Sequence, residues 1–174
     1  MIHSMDIKVI SVIGYSGSGK TNFISLAIKL LKEKLNYNVA VIKNVKHHPI
    51  DKKGKDSYKF TEAGAIFSVI HNVDNETAIF FKDKDNKLVS IQNWLAAGPY
   101  KIDLLFTEGF RNLNHPTVLC VSNSNEIEEQ LTVYVKAISG VICSKDLSEN
   151  SIRNLPIIDL ENTFPRFLKI FNLN

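Results

Sequence analysis

The sequence predicts an α/β fold: a doubly wound, mostly parallel sheet of about seven strands with helices packed on it. Short apolar runs rich in β-branched residues alternate with segments of helical periodicity along the chain. A glycine-rich turn joins the first apolar run to the first helical segment, as in a βαβ unit. No linker, repeat or low-complexity tract interrupts the 174 residues, which predicts a single domain over 1–174.

Apolar periodicity assigns the elements of the first half of the chain. Residues 7–13 (IKVISVI) are apolar apart from Lys8 and Ser11, as expected of a central parallel strand buried on both faces. From Lys20 to Leu35, apolar residues recur at spacings of three and four, which predicts a helix. The other predicted elements of this half are a strand over 37–44, a polar loop over 44–57, a short helix from about Asp56 to Gly64, strands over 65–71 and 76–82, and a helix over 88–97.

The second half continues the alternation. An apolar strand over 102–110 carries Glu108 at its exit, and Pro165 falls in the first turn of a C-terminal helix. The other predicted strands of this half are 117–122, 138–144 and 155–160. Because parallel strands end at one edge of the sheet, we expect the functional residues at their carboxyl ends.

The glycine-rich turn reads GYSGSGKT over residues 14–21 and matches the phosphate-loop pattern G-x-x-x-x-G-K-[ST] at each fixed position. Gly17 and Gly19 allow backbone N–H groups to close around a phosphate at the start of a helix. Lys20 supplies a cation for the phosphate oxygens, and the Thr21 hydroxyl is placed to hold Mg²⁺. The sequence therefore predicts a phosphate-loop nucleotide-binding fold. Its expected nucleotide ligands here are Gly14, Ser16, Gly17, Ser18, Gly19, Lys20 and Thr21.

A metal beside a phosphate loop also needs a carboxylate at the end of a neighbouring strand. Glu108 stands in that position and is followed by Gly109. Asp103 is the alternative, but it lies at the entrance of the same strand. Thr21 and Glu108 are therefore the predicted metal ligands, and Lys20 and Glu108 the predicted catalytic residues.

The polar loop contains a dense group of charged residues and two histidines. His47 and His48 are adjacent, so on an extended chain they point to opposite sides and do not readily chelate one metal. The lysines at 46, 52, 53 and 55 favour a basic loop that binds an anionic substrate. The alternative is a charged loop that is only solvated.

Composition limits the class of protein. A net charge of +3, with lysines spread along the chain, does not indicate a nucleic-acid partner. No apolar run approaches the roughly 18 residues that a membrane span needs, and the first residues lack a secretory pattern. We therefore expect a cytoplasmic protein that binds neither nucleic acid nor a membrane.

Three stretches together resemble one family, the molybdopterin-guanine dinucleotide biosynthesis adapter proteins (MobB family). They are the phosphate loop GYSGSGKT, the segment KHHPIDKKGKDSYKFTEAGA that begins at Lys46, and LLFTEGFR, which contains Glu108. The middle segment is the specific part, since a phosphate loop alone occurs in many families. The resemblance covers residues 7–112.

The resemblance implies a homodimeric protein that binds GTP with Mg²⁺ and hydrolyses it weakly. It implies an adapter that assists the guanylyltransferase converting molybdopterin to its guanine dinucleotide form, with molybdopterin itself a further candidate ligand. Carried over by position, Lys46, His47, Lys55 and Asp56 line the pocket or the dimer face. The stretch ICSKD over 142–146 resembles a guanine-reading motif through Asp146, which is added to the expected nucleotide ligands.

Two other functions share the phosphate loop. A small-molecule kinase usually clamps phosphates with several arginines, and this chain has three widely spaced ones, Arg111, Arg153 and Arg166. A GTPase that inserts a metal into another metalloenzyme usually carries clustered Cys or His, and here only His47 and His48 could serve. The adapter function is the prediction, with these two as alternatives.

Overall fold

The computed structural model describes residues 7–82, 88–144 and 150–174. The chain divides into two compact units. Unit 1 runs up to Asn44 and resumes at Gly98, and unit 2 comprises Val45–Ala97. The single domain expected over 1–174 stays a prediction.

Unit 1 is built on a five-stranded sheet. Its strands are β1 (Lys8–Ile13), β2 (Val39–Lys43), β5 (Leu104–Glu108), β6 (Thr117–Cys120) and β7 (Val135–Ser139). They lie in the order β2-β5-β1-β6-β7, and every neighbouring pair is parallel. The strand order reverses at β1, which is where α/β sheets place their ligands.

Helices cover the sheet because strand residues alternate between its two faces. Val118 and Cys120 of β6 pack into one core cluster together with α1 (Lys20–Leu35) and α5 (Leu160–Ile170). Leu119 lies in a second cluster, together with α4 (Ile127–Gln130). The helical periodicity of α1 is confirmed, since its buried residues are Phe23, Ile24, Ala27 and Leu31.

The predicted fold class, an α/β fold with a mostly parallel sheet, is confirmed, but the central sheet has five strands and not about seven. In unit 2, the runs predicted at 65–71 and 76–82 form an antiparallel hairpin of their own, β3 (Ser68–His71) with β4 (Thr77–Phe80). Unit 2 also contains α2 (Asp56–Glu62) and α3 (Leu88–Ala96). A second short hairpin, β8 (Ser151–Ile152) with β9 (Leu155–Pro156), belongs to unit 1.

Several predicted boundaries were wrong. The strand expected over 155–160 is limited to β9 (Leu155–Pro156). The strand expected over 138–144 ends at Ser139, because Gly140 has φ +96 and Val141–Ser144 form a 3₁₀ turn. The last helix begins at Leu160, where Asp159 accepts a hydrogen bond from the backbone N–H of Glu161. Thr163 has non-helical angles (φ −126, ψ 27) just before Pro165, so the expected proline start marks a kink inside the helix.

Among the described helices, none combines the length and apolar character needed to cross a membrane.

A buried hydroxyl pair joins the two central strands. Ser11 and Thr107 are Cα partners in the parallel register of β1 and β5, and their side-chain oxygens lie 2.9 Å apart. Both residues are almost fully buried. Each hydroxyl therefore satisfies the other inside an otherwise apolar sheet.

Asp103, the alternative metal ligand, lies at the opposite end of β5 from Glu108. Its carboxylate accepts a hydrogen bond from the backbone N–H of Asn38 (2.9 Å) and pairs with Lys101 Nζ at 2.9 Å. These two contacts, the backbone one first, lower the pKa of Asp103 below its usual value. Asp103 therefore has a structural role at the entrance of the strand.

We expect Asp103→Asn to lower the melting temperature at pH 7, by an amount that shrinks as the pH falls below about 4. A carboxyl whose pKa is lower in the folded protein stabilises it above the unfolded pKa, about 3.9 for Asp. This stabilisation is lost as the pH falls through the folded value. Thermal melts from pH 7 to pH 3 measure the effect, with the exposed Asp74→Asn as the control. An unchanged difference at both pH values would contradict the assignment.

Candidate functional site

The phosphate loop follows β1 and runs close against β6. Gly14 has φ +148, and a Cβ placed on it would lie 2.2 Å from the Cys120 carbonyl oxygen. A side chain at this position would push the loop off the sheet. Gly17 (φ +77) has open space where a Cβ would point. Ser16 and Gly17 are exposed at the tip of the loop, where a phosphate could approach.

The loop ends at the amino end of α1. Gly19 is the N-cap in a left-handed conformation (φ +92), without a side-chain cap. The first N–H groups of a helix have no partner inside the helix. Together with the helix dipole, they attract an anion. Lys20 Nζ donates to the Tyr15 carbonyl oxygen at 2.6 Å, so the ammonium group folds back across the loop.

Thr21 and Glu108, the two predicted metal ligands, lie side by side. The Thr21 hydroxyl donates to Glu108 Oε1 at 3.2 Å and lies 3.4 Å from Oε2. Glu108 is the last residue of β5 and is 6% exposed. A hydroxyl and a carboxylate are hard oxygen donors of the kind Mg²⁺ uses beside the phosphates of a nucleotide. The donor set therefore fits this ion.

Sequence reasoning missed Lys43, which ends β2. Its ammonium lies 3.1 Å from Glu108 Oε1, and Lys43 and Glu108 are Cα partners in the parallel pairing of β2 with β5. The backbone N–H of Asn44 also donates to the Glu108 carbonyl oxygen at 2.9 Å. A lysine at a predicted strand end was visible in the sequence, but the adjacency of β2 and β5 was not.

Gly140 was missed as well, although it directly supports the phosphate loop. A Cβ on Gly140 would lie 2.2 Å from the Ser18 carbonyl oxygen and 3.0 Å from Cys120 Cβ. The next residue, Val141, donates its N–H to the same Ser18 oxygen at 3.1 Å. The turn after β7 is therefore packed against the back of the loop. Ser18 itself is fully buried, and its hydroxyl has no partner in the described part of the chain.

A cavity of about 350 Å³ opens beside the loop within unit 1. It lies next to Gly19, between α1 and the segments that follow β7 and β9. Its walls are apolar at Phe23 and Leu26 and polar at Ser144 and Asp159. A mixed lining of this kind is typical of cavities that bind small ligands.

The Tyr15 ring links the loop to the segment after Glu108. The Arg111 guanidinium stacks over this ring at 5.1 Å and donates to Gln130 Oε1 at 2.7 Å. The Tyr15 hydroxyl donates to Glu129 Oε2 at 2.7 Å, and this bond raises the pKa of Tyr15. Glu129 of α4 and Arg111 from the segment after β5 therefore both contact Tyr15, and Gln130 of α4 helps to position Arg111.

Four predicted site residues lie in unit 2. Lys46 and His47 are exposed in a segment without regular structure. Lys55 is the N-cap of α2 and Asp56 its first residue, and Asp56 pairs with Lys59 at 3.2 Å. Lys55 and Asp56 line one surface depression. Among the described residues that line it, Lys46 and His47 are absent. Asp146, the fifth remote candidate, lies outside the described residues.

Within residues 7–82, 88–144 and 150–174, no group of three or more His, Cys, Asp or Glu side chains is placed to hold a metal ion.

The related proteins of known name all carry the same name. A Haemophilus influenzae molybdopterin-guanine dinucleotide biosynthesis adapter protein is 36% identical over 65% of this chain and 62% of its own length. The Escherichia coli protein of that name is 29% identical over 61% of each chain. A Methanocaldococcus jannaschii protein, provisionally given the same name, is 35% identical over 68% of this chain and 49% of its own. The matching part thus spans about half to three fifths of the relatives' lengths.

Solved structures show the same fold. Bacillus subtilis MobB superposes with a TM-score of 0.69 at 23% identity, covering 97% of this chain and 99% of that one. A MobB homologue from Bacillus stearothermophilus gives a TM-score of 0.64 at 19% identity, over 95% of this chain and 99% of that one.

The family described as molybdopterin guanine dinucleotide synthesis protein B matches residues 9–144, a span that contains both the phosphate loop and Glu108. The resemblance seen in the sequence is thereby confirmed: the chain belongs to the MobB family.

Proposed function

We propose that this protein is a GTP-binding adapter of molybdenum cofactor biosynthesis. It assists the conversion of molybdopterin to its guanine dinucleotide form and hydrolyses GTP weakly. The observation that carries the proposal is the family match over residues 9–144. The names of the relatives from Haemophilus influenzae and Escherichia coli point to the same pathway.

The phosphate chain of GTP is assigned to the loop and the start of α1. In this proposal, backbone N–H groups around Gly17 and Gly19 surround the phosphates, and Lys20 contacts their outer oxygens. Thr21 and Glu108 hold Mg²⁺, which neutralises phosphate charge when it is bound. The contact of Thr21 with Glu108 at 3.2 Å supports this pairing. Lys20 and Glu108 are the residues through which weak hydrolysis is proposed.

The cavity beside Gly19 is assigned to the nucleoside. A nucleotide held by its phosphates in the loop extends along α1, where the cavity lies between Phe23 and Asp159. Asp146 remains the proposed acceptor for guanine N1 and N2, on the resemblance of ICSKD (142–146) to a guanine-reading motif. Lys46, His47, Lys55 and Asp56 are proposed to contact the ligand, molybdopterin or a second copy of the chain.

The proposed partners are a guanylyltransferase and a second copy of this chain. Unit 2 supports a homodimer because, within the described residues, its hairpin pairs only β3 with β4 and so offers strand edges for pairing. Large apolar side chains are also exposed on unit 2, including Val73 (96%), Ile66 (78%) and Val69 (57%). Several exposed apolar side chains in one unit support an interface there. The mass in solution, measured by light scattering, tests the dimer. The cytoplasmic location stays a prediction.

The nucleotide and the pathway are tested separately. Titration of the purified protein with GTP and with ATP in Mg²⁺ is expected to show clearly tighter binding of GTP. Tighter ATP binding would contradict the guanine assignment.

In a molybdopterin guanylyltransferase reaction, we expect the protein to associate with the transferase and to change its yield or nucleotide dependence. No association and no change would place the protein in another pathway.

A further inference from the structure

We propose that Lys43 is a further residue of the metal site and serves as the exchangeable counter-ion of Glu108. It neutralises this buried carboxylate, and it gives up the contact when a divalent cation binds with the nucleotide. The inference rests on the proposed function, because it describes how the same site exchanges one cation for another.

The first step is the burial of Glu108. Its side chain is 8% exposed, and a carboxylate in such a place needs a compensating charge. Within the described residues, its side-chain contacts are the Lys43 ammonium at 3.1 Å and the Thr21 hydroxyl. A hydroxyl is neutral, so Lys43 provides the positive charge.

The second step is the asymmetry of the pair. Glu108 is fixed at the end of a central strand, and its backbone is bonded to Asn44. Lys43 starts from the Cα position paired with Glu108, but its side chain is 54% exposed. A flexible lysine at the surface can move its ammonium into water at small cost. Of the two partners, only the lysine is free to leave.

The third step is the shared oxygen. Lys43 Nζ and Thr21 Oγ1 both contact Oε1 of Glu108. A cation held by Thr21 and Glu108 through this oxygen would share it with the Lys43 ammonium. Two positive charges on one oxygen repel each other, so the ammonium must withdraw. Lys43 and the divalent cation therefore compete for Glu108.

The experiment measures GTP binding to the full chain as a function of Mg²⁺ concentration. For Lys43→Met, the Mg²⁺ concentration that gives half-maximal GTP binding is expected to fall by up to about fivefold, because the competing cation is gone. Lys101→Met is the matched control. It removes an exposed lysine from an ion pair with Asp103 at the other end of β5, and its Mg²⁺ dependence should equal that of the unsubstituted protein.

An unchanged Mg²⁺ requirement in Lys43→Met overturns the inference, since a purely structural ion pair would give that result. A higher Mg²⁺ requirement also overturns it, since that result is expected of a lysine that binds phosphate. Lys43→Gln, which keeps a hydrogen-bond donor without the charge, gives the same test if the methionine variant does not fold. If the unsubstituted protein does not bind GTP in Mg²⁺, the proposed function fails. If it binds GTP and Lys43→Met leaves the Mg²⁺ dependence unchanged, the counter-ion role alone fails.

Discussion

Replacement of Lys20 by alanine is expected to weaken GTP binding about a hundredfold at saturating Mg²⁺, since charge-assisted contacts to phosphate are among the strongest a side chain makes. The ammonium already lies across the loop, 2.6 Å from the Tyr15 carbonyl oxygen. It therefore needs little rearrangement to contact a phosphate. Calorimetric titration with GTP measures the change.

The control for this variant lies on the same helix. Lys29 is exposed on α1 and remote from the loop in sequence, so Lys29→Ala should bind GTP as the unsubstituted protein does. Thermal melts of both variants check that the fold survives. GTP affinity of Lys20→Ala within threefold of the unsubstituted protein would remove the phosphate loop from the proposed site.

Gly140→Ala is expected to abolish measurable GTP binding and to lower the free energy of unfolding by about 3 kcal/mol or more. Two costs combine: a left-handed conformation for a residue with a side chain, about 1–2 kcal/mol, and overpacking of about 1–3 kcal/mol. The added Cβ would meet the Ser18 carbonyl oxygen at 2.2 Å, so either the loop or the turn after β7 must move. Denaturant unfolding and GTP titration measure the two effects.

Gly64 offers a matched control for this substitution. It has φ +103, close to the +96 of Gly140, but a Cβ there would meet nothing within 4 Å. Gly64→Ala should therefore show the conformational cost alone, about 1–2 kcal/mol, with GTP affinity unchanged. Equal losses of stability in the two variants would mean that the close approach of Gly140 to the loop does not matter.

Local patterns in the sequence were enough to predict several parts of this molecule. The apolar run of β1, the periodicity of α1 and the spacing of GYSGSGKT depend on residues near one another in the chain. The position of Glu108 at a strand exit could be predicted for the same reason. Its proximity to Thr21 then followed from the rule that parallel strands end at one edge.

The remaining features depend on which segments become neighbours. Lys43 lies beside Glu108 only because β2 pairs with β5. Gly140 supports the loop only because it packs against Ser18, more than 100 residues away in sequence. The strands β3 and β4 carry the same apolar signal as the central ones, yet they pair with each other as a hairpin. Apolar periodicity identifies a strand but does not identify its neighbour.

The bond between Ser11 and Thr107 also sets how accurately the site is aligned. Because side chains alternate along a strand, a slip of one residue between β1 and β5 would bury each hydroxyl against apolar groups and turn Glu108 to the other face of the sheet. The hydroxyl pair makes that slip energetically unfavourable close to the site, since Ser11 shortly precedes the phosphate loop and Thr107 directly precedes Glu108. A buried polar contact of this kind therefore helps to keep Glu108 aligned with the phosphate loop in the proposed metal site.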